Sequence, residues 1–435
     1  MTALTLLAGC ALVGAGDDDA SGGTRTSRAP STTSPSTSPS ATSSSPPPAA
    51  ATRPAVSPRF FGVHDSDPLG GPSGWPQAPV GSFRAWDAGV SWRELETSPG
   101  AFDWRRLDEI VRTSRAHGAD VLLVLGQTPQ FHARNPSVAS AYGSGASSMP
   151  KLAAWKRYVA AVAKRYARQG VVFQVWNEAN VINYWSGTTA QMAQLTKTAY
   201  EVLARVSPRA TLVAPALVTR LDGQRAWLDR FYAERIGGRP VADFLDIVSL
   251  QLHPLADGSP EDSMDLLAQS RALLARHGVS KPVWNTEINY GLTGGGVVET
   301  LTPKQQAAQV ARTYLLNAAN DVGRVYWYSW DRLDIVNTTM VATDRASPTR
   351  AGRAFGTVRS WLEGASVQSC EQDDAGTYLC VLVHPEGVRN VYWNPTRTVT
   401  VTAAATRVDR LDGSKQAVPS GQVRLRVGYS PVLVR

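Results

Sequence analysis

Short apolar runs alternate with amphipathic helical segments along residues 59–364. Continuous apolar runs separated by helices indicate parallel strands that are covered on both faces of a sheet. The eight predicted strands cover residues 60–64, 82–86, 121–126, 171–176, 211–216, 244–252, 282–286 and 324–330. Helical periodicity between them predicts helices that include 104–117, 153–168, 192–206, 262–277 and 303–320.

Glycines follow three of these helical segments, at Gly118, Gly170 and Gly278, where a left-handed residue commonly ends a helix. Eight strands in about 300 residues predict a (β/α)8 TIM barrel. A doubly wound open sheet is the alternative fold. It is disfavoured because neither a GxGxxG motif nor a phosphate-binding loop follows the first strand.

The hydrophobic period changes to two after residue 364. Valine alternates with threonine over 399–402, and apolar residues alternate with arginine over 423–427. This pattern predicts a small antiparallel, β-sandwich-like accessory domain over residues 365–435. We expect it to support the barrel by packing. The alternative is a carbohydrate-binding module, for which Tyr392 and Trp393 are the obvious aromatic candidates.

The composition narrows the class of protein. A chain with 43% hydrophobic and 18% charged residues is globular, and the absence of an apolar run of 18 residues argues against a polytopic membrane protein. The net charge of +8 is spread along the chain, so we expect no nucleic-acid partner. The 13 Trp and 13 Tyr outnumber the 9 Phe, which suits stacking on sugars as well as a Trp-rich core. We expect a monomer.

The first 20 residues have the character of a lipoprotein signal segment. Residues 2–16 are apolar or small, too short a stretch to span a bilayer, and Leu7-Ala8-Gly9-Cys10 resembles the lipobox of bacterial lipoproteins. In that motif the cysteine carries the lipid, so Cys10 is the predicted lipidation site. The basic leader expected ahead of the apolar stretch is missing. Either the start codon is assigned too late or the resemblance is accidental.

Residues 21–58 read as a disordered linker rich in Ser, Thr, Pro and Ala. Such a segment has little to bury and cannot offset its chain entropy, so it serves as a semi-stiff spacer. Anchor and spacer together predict a bacterial protein outside the cytoplasm, either secreted or held at the cell envelope. Membrane contact is then expected through the lipid alone.

The two remaining cysteines, Cys370 and Cys380, fall on neighbouring strand candidates with a turn near residues 373–376. In an exported protein this arrangement predicts a disulfide across a β-hairpin. Neither a CxxC nor an HxxxH spacing occurs, and the six His are scattered. We therefore expect neither a metal site nor a cofactor.

Two glutamates stand at predicted strand ends, Glu178 after the fourth strand and Glu287 after the seventh. Functional side chains of a TIM barrel gather at the carboxyl ends of its strands. A lone acidic residue there is usually a solvated loop carboxylate, but two in aromatic and amide surroundings favour function. Paired carboxylates are the groups that glycoside hydrolysis requires.

The residues around both glutamates resemble a known clan. The string Val175-Trp176-Asn177-Glu178-Ala179-Asn180 is similar to the acid/base motif of retaining glycoside hydrolases whose catalytic glutamates lie on barrel strands four and seven. Residues 284–287 resemble the nucleophile strand of that clan. Residues 81–92, 99–108 and 126–129 resemble the opening of glycoside hydrolase family 39. The resemblance covers residues 60–331, and a small β-domain behind the barrel is usual in that family.

The resemblance implies a role for each matching residue. Glu178 is then the general acid/base and Glu287 the nucleophile, with their carboxyl groups roughly 5–5.5 Å apart, as in retaining enzymes. Asn177 would hydrogen-bond the 2-hydroxyl of the sugar, and Arg84 would orient and ionise Glu287. A structural ion pair is the alternative for Arg84.

Five further residues are candidate substrate contacts. His253 matches the position where the clan places a His or Tyr near the nucleophile, Trp330 would form a stacking floor, and His64 ends the first strand. Tyr184 and Trp185 follow the acid/base motif and would line the cleft. The alternative for each aromatic or histidine is a structural role in the core. One departure from the family is that the loop 130–149 is less aromatic than a glycan cleft usually is.

The sequence therefore predicts an exported retaining glycosidase that acts on a poly- or oligosaccharide through a glycosyl-enzyme. Two alternatives remain open at this point. A transglycosylase would use the same glutamate pair, and a non-catalytic barrel would bind envelope polysaccharide.

Overall fold

Eight strand positions form the parallel sheet at the centre of the protein. The computed structural model describes residues 53–70, 75–293, 296–331 and 335–435. The barrel strands, numbered one to eight here, are Phe61–Val63, Ser82–Ala85, Asp120–Leu125, Val172–Val175, Leu212–Val213 with Leu217–Val218, Val248–Gln251, Val283–Ile288 and Val322–Trp327. All eight predicted strand positions are confirmed.

The fifth strand is split into two pieces, and each piece pairs with a different neighbour. Leu212–Val213 pairs with strand four, whereas Leu217–Val218 pairs with strand six. A parallel bridge between Val213 and Ile247 joins the two ends of the sheet. Strands one and eight pair with each other, and the order of the others follows the chain. The result is the predicted TIM barrel.

Eight helices accompany the strands in the described residues: α1 Trp92–Leu95, α2 Arg105–Ala116, α3 Leu152–Tyr166, α4 Thr189–Val206, α5 Asp222–Ala233, α6 Pro260–Arg276, α7 Pro303–Ala319 and α8 Arg350–Leu362. The helices α4, α6 and α7 begin with capping boxes. In each, the side-chain oxygen of the cap residue, Thr188, Ser259 or Thr302, accepts a hydrogen bond from the backbone amide three residues later. Pro260 and Pro303 open α6 and α7, where a missing amide proton costs nothing.

Short elements complete the barrel region. They are the 3-10 helices Pro58–Phe60, Gln130–His132, Ala167–Gln169 and Val241–Phe244, and the strand pairs Glu96–Ser98 with Ala101–Phe102, Arg235–Ile236 with Arg239–Pro240, and Leu292–Thr293 with Gly296–Val297. The three glycines predicted to end helices have φ values of 71°, 78° and 68° at Gly118, Gly170 and Gly278. Left-handed backbone thus lies where the sequence predicted it. Among the described residues, no helix has the length and apolarity needed to cross a bilayer.

The C-terminal part consists of two antiparallel sheets. The larger has, in spatial order, Ser366–Gln372, Tyr378–His384, Gly387–Trp393, Val432–Val434, Arg407–Arg410 and Lys415–Ala417. The smaller pairs Val399–Ala404 with Gln422–Val427, the two segments of strict alternation. Val408 and Val434 of the larger sheet share one apolar cluster with Leu425 and Val427 of the smaller sheet. The C-terminal region is thus antiparallel β-structure, as predicted, and its two sheets share one apolar cluster.

Contacts with α6 and α7 attach the larger sheet to the barrel. The Glu261 carboxylate forms an ion pair with buried Arg312 and accepts a hydrogen bond from Trp393 Nε1 at 2.9 Å. Arg312 also lies over the Tyr429 ring at 4.4 Å. Trp393 is fully buried and stacks on Tyr378 at 4.7 Å. These contacts favour the packing role, because a buried Trp393 cannot hold a sugar.

The described end of the predicted linker is attached to the folded part of the chain. Val56 exchanges backbone hydrogen bonds with Gly364 and Ala365, and Ser366 Oγ donates to the Arg53 carbonyl at 2.6 Å. The predicted boundary after residue 58 is therefore too late, because residues 53–58 satisfy their backbone against the segment that follows α8. Cys10 and the signal segment lie outside the described residues.

Cys370 and Cys380 form a disulfide. They stand directly opposite each other on adjacent antiparallel strands, and residues 373–377 make the turn between those strands. Asp373 Oδ1 accepts from the amides of Ala375 and Thr377, and Gly376 is left-handed at 79°. The predicted pairing and turn are confirmed.

We expect the double variant Cys370→Ala/Cys380→Ala to lose ~2–3 kcal/mol of unfolding free energy, because a short loop is no longer closed in the unfolded state. Urea denaturation measures the loss. Wild-type protein in reductant is the matched control and should fall to the stability of the variant. Two alkylatable thiols from these positions in unreduced wild-type protein would contradict the prediction.

Candidate active site

A buried guanidinium organises the barrel interior. Arg84 on strand two has no exposed surface, and its three nitrogens donate to three different side chains at strands four and seven. Nε donates to Gln174 Oε1 at 2.7 Å, Nη1 to Glu287 Oε2 at 2.9 Å and Nη2 to Asn177 Oδ1 at 2.7 Å. Because burying an unpaired charge is costly, these acceptors are what permit a cation at this depth.

Glu287 receives donors on both carboxylate oxygens. Oε2 accepts from Arg84 and from Gln251 Nε2 at 3.0 Å. Oε1 lies 3.4 Å from His253 Nε2. His253 Nδ1 lies 3.2 Å from both the backbone amide and the carbonyl oxygen of Asn289, which fixes the position of the ring beside the carboxylate. Glu287 is therefore held as an oriented anion.

Asn177 has its amide orientation set by the same network. Its Oδ1 accepts from Arg84 and from Gln251 Nε2 at 3.0 Å. The oxygen is thereby occupied, so the NH2 group is the part of this side chain that can donate to a substrate hydroxyl. This is consistent with the contact that the sequence predicted for Asn177.

Glu178 sits on a tight turn at the end of strand four. Trp176 and Glu178 have left-handed φ values of 59° and 46°. Two further non-glycine residues, Asp87 after strand two and Gln127 after strand three, have φ values of 55° and 61°. Such conformations cost roughly 1–3 kcal/mol each and cluster at functional sites. These four residues lie at the carboxyl ends of strands, a face of the barrel that we call the barrel mouth. Their strained backbone indicates that the barrel mouth is a functional face.

The two glutamates have pKa values shifted in opposite directions. Burial, followed by the charge on Glu287, raises the pKa of Glu178 from 4.5 to about 8. Burial alone would also raise the pKa of Glu287, but the hydrogen bond from His253 and the charge of Arg84 outweigh it and lower that pKa to about 2. At neutral pH Glu178 therefore holds a proton that Glu287 lacks.

His64, at the end of strand one, is a neutral member of the network. Burial and the charge of Arg84 lower its pKa to about 3. Its Nε2 lies 3.1 Å from the Thr286 carbonyl and 3.3 Å from Arg84 Nη1. The structure brings His64, His253, Arg84, Asn177 and Glu287 into one network, and Glu178 lies close enough to feel the charges of Glu287 and Arg84.

The aromatic candidates divide into two groups. Tyr184 is half-buried, and its ring lies 5.7 Å from that of Tyr142. Trp185 is 2% exposed and packs edge-on against Trp176 at 4.9 Å, so its ring does not line the cleft. Trp330 is 4% exposed and packs against core Phe355 at 6.2 Å. Burial therefore favours the structural alternative for both tryptophans.

Sequence reasoning missed several members of the site: Asp87, Tyr142, Gln174, Gln251 and Tyr328. The two glutamines left a signal, since each is an amide inside an otherwise apolar strand that we interpreted only as buried sheet. Tyr328 directly follows strand eight, and its ring lies 5.0 Å from His64. Tyr142 comes from the loop 130–149, which looked poor in cleft aromatics.

The polar groups of the site are mainly carboxylates and amides. No group of three or more His, Cys, Asp or Glu could hold a metal ion within the described residues, 53–70, 75–293, 296–331 and 335–435.

Three solved structures of similar fold are a β-xylosidase, a glycoside hydrolase family 39 enzyme and a glucosidase. A monomeric β-xylosidase from Caulobacter crescentus CB15 is 15% identical with a TM-score of 0.59, over 88% of this chain and 97% of that one. A glycoside hydrolase family 39 enzyme from Xanthomonas axonopodis pv. citri is 15% identical with a TM-score of 0.59, over 88% and 95%. A glucosidase from Croceicoccus marinus is 15% identical with a TM-score of 0.59, over 84% and 82%.

No protein-family model matches the chain, and no curated protein matches it either. At 15% identity the structural similarities establish the fold. The TIM barrel predicted from the sequence is confirmed, and the resemblance to family 39 is borne out at the level of the fold.

The opposite pKa shifts predict opposite pH dependences of stability. Because the folded pKa of Glu178 lies above its unfolded value, the unfolded state loses this proton first, and stability falls between pH 4.5 and pH 8. Glu178→Gln removes this loss. We expect the variant to gain roughly 1–3 kcal/mol over wild type between pH 5 and pH 8, the partial exposure of Glu178 limiting the gain.

Glu287→Gln is the matched comparison. Its folded pKa is depressed, so its contribution to stability is present above the unfolded value of 4.5 and is lost as the pH falls toward 2. Glu287→Gln should be less stable than wild type at pH 7, with a deficit that shrinks below pH 4.5. Urea denaturation at five pH values measures both. Equal pH slopes in the two variants would refute the assignment.

Proposed function

We propose that this chain is an exported retaining glycoside hydrolase that cleaves a poly- or oligosaccharide by double displacement. The observation that carries the proposal is the pair of carboxyl groups at one barrel mouth, one protonated and one ionised at neutral pH. Glycoside hydrolysis needs a proton donor for the leaving oxygen and a second carboxylate opposite it. The fold shared with glycosidases supports the same chemistry.

Each residue then has a definite task in the first step. Glu287, oriented by Arg84 and His253, attacks the anomeric carbon while Glu178 gives its proton to the departing oxygen. The Asn177 amide donates to the 2-hydroxyl, an interaction that strengthens as positive charge develops on the ring. A covalent glycosyl-enzyme on Glu287 results.

The second step reverses the role of Glu178. Once Glu287 is esterified, its negative charge is gone, and the electrostatic reason for the raised pKa of Glu178 weakens. The carboxylate of Glu178 can then take a proton from water, which attacks the anomeric carbon and releases the sugar with its original configuration. If a sugar hydroxyl replaces that water, the same site transglycosylates.

We expect Glu287→Gln to abolish the hydrolysis of every aryl glycoside that the wild type cleaves, because no nucleophile remains. Glu178→Ala should retain activity on substrates with good leaving groups and be accelerated by azide, because only proton transfer is lost. The wild-type rate should follow a bell-shaped pH profile, since the two carboxyls titrate as a pair. Initial rates on a panel of aryl glycosides measure all three effects.

Proton NMR of the first product tests the stereochemistry. A retaining enzyme has its carboxyl groups roughly 5–5.5 Å apart and conserves the anomeric configuration. An inverted product, or full activity in Glu287→Gln, would contradict the proposal. Binding of glycans without turnover of any substrate would favour the polysaccharide-binding alternative, and products elongated in the presence of acceptor sugars would favour transglycosylation.

Export and anchoring form the second part of the proposal. The disulfide between Cys370 and Cys380 suits an oxidising compartment, and the lipobox-like Leu7-Ala8-Gly9-Cys10 precedes a spacer. We expect the protein, expressed behind a complete lipoprotein leader, to fractionate with membranes and Cys10→Ser to leave them. Western blots of membrane and soluble fractions measure the difference. Equal membrane association of both forms would exclude lipidation at Cys10.

A further inference from the structure

A third carboxylate stands at the barrel mouth beside the two glutamates. Asp87 lies two residues after the end of strand two and is half-buried. Its Oδ1 accepts from the Tyr142 hydroxyl at 2.7 Å, and its Oδ2 accepts from the Tyr328 hydroxyl at 2.9 Å. The cluster thus joins strand two, the loop after strand three and the end of strand eight around one anion.

The backbone of Asp87 is held in a conformation that L-residues rarely adopt, with φ at 55°. Strain of this kind persists only when the surroundings over-determine it, and it concentrates at sites that bind ligands. Both carboxylate oxygens are directed by tyrosines from other segments of the barrel. The carboxylate is therefore pre-organised, as a binding group needs to be.

The cluster faces the same mouth as the paired glutamates. The Tyr328 ring lies 5.0 Å from His64, which in turn contacts Arg84. The Tyr142 ring lies 5.7 Å from the ring of Tyr184, which follows Glu178 in the loop after strand four. The charge of Asp87 also contributes to the raised pKa of Glu178, so the two carboxyl groups are near each other.

The chemistry of the cluster favours one kind of ligand group. Both tyrosine hydroxyls give their protons to Asp87, and burial with the Asp87 charge keeps the pKa of Tyr142 well above its usual value. The carboxylate and phenol oxygens retain lone pairs, so the cluster accepts hydrogen bonds. A hydroxyl of a sugar fits such acceptors.

We propose that Asp87 is a specificity-determining residue that accepts a hydrogen bond from a hydroxyl of the sugar bound at the mouth. The inference rests on the proposed glycosidase function and adds the substrate group that this part of the site reads. A charge-assisted hydrogen bond of this type gives strong discrimination against substrates that lack the donor.

The test is a cycle between protein and substrate variants. The neutral aryl glycoside that wild type hydrolyses fastest is compared with each of its monodeoxy analogues, in wild type and Asp87→Asn. We expect Asp87→Asn to lower kcat/KM on the parent about 10–100-fold. For the one deoxy analogue that lacks the contacting hydroxyl, the loss should shrink to about threefold or less.

Asp103→Asn is the matched control, because Asp103 forms its ion pair with exposed Arg105. It should leave all rates unchanged. Circular dichroism and thermal unfolding confirm folding, and Asp87→Glu, which keeps the charge but displaces the oxygens, runs the same cycle should Asp87→Asn fail to fold. A loss that is equal for the parent and every deoxy analogue would overturn the inference and leave Asp87 as a brace between loops.

The two proposals fail in different ways. A wild type that hydrolyses the parent, with an inactive Glu287→Gln and a uniform Asp87→Asn loss, refutes the role of Asp87 alone. A wild-type rate equal to that of Glu287→Gln on all substrates refutes the glycosidase function, and the inference about Asp87 with it.

Discussion

The buried cation of Arg84 is the constraint on which the rest of the site depends. A guanidinium without exposed surface demands acceptors, and it obtains them from Gln174, Asn177 and Glu287 on strands four and seven. Breaking a buried ion pair by removing one partner costs about 3–5 kcal/mol. Moving Glu287 or Asn177 would therefore leave the buried Arg84 guanidinium without a hydrogen-bond acceptor. The contacts that stabilise Arg84 in the barrel thus also fix the orientation of Glu287 and Asn177.

The field of that cation also explains why two carboxyl groups of the same kind behave differently. Glu287 lies within direct hydrogen-bonding reach of Arg84, Gln251 and His253, whereas Glu178 feels mainly burial and the negative charge of Glu287. The proton accordingly stays on Glu178. Low dielectric surroundings amplify both effects, because the same burial that penalises an unpaired charge strengthens a paired one. Loss of the Glu287 charge would remove one cause of the raised pKa of Glu178 and leave burial, the larger cause, in place.

The accessory sheets act on the barrel from the outside and are anchored by a second buried cation. Arg312 of α7 pairs with Glu261 of α6, which also accepts from Trp393 of the larger sheet. Polar contacts of this kind fix the orientation of two surfaces, while the apolar core supplies most of the energy of their packing. A sugar-binding module needs exposed aromatic rings. Trp393 of the larger sheet cannot provide one, because it is fully buried.

The sequence by itself determined the strand positions, the glycines that end helices and the placement of both glutamates at strand ends. Each of these rests on a local signal: apolar periodicity, a glycine that can be left-handed, or a motif around a strand end. Only the tertiary structure decided which side chains meet across the mouth. Asp87, Tyr142 and Tyr328 are separated by 55 residues and more along the chain, so nothing local announces their cluster. Trp185 lies beside the Glu178 motif and Trp330 beside the last strand, and the sequence could not tell whether either ring lines the cleft or packs in the core. Burial depends on how strands and helices pack together, and both rings are buried in the core.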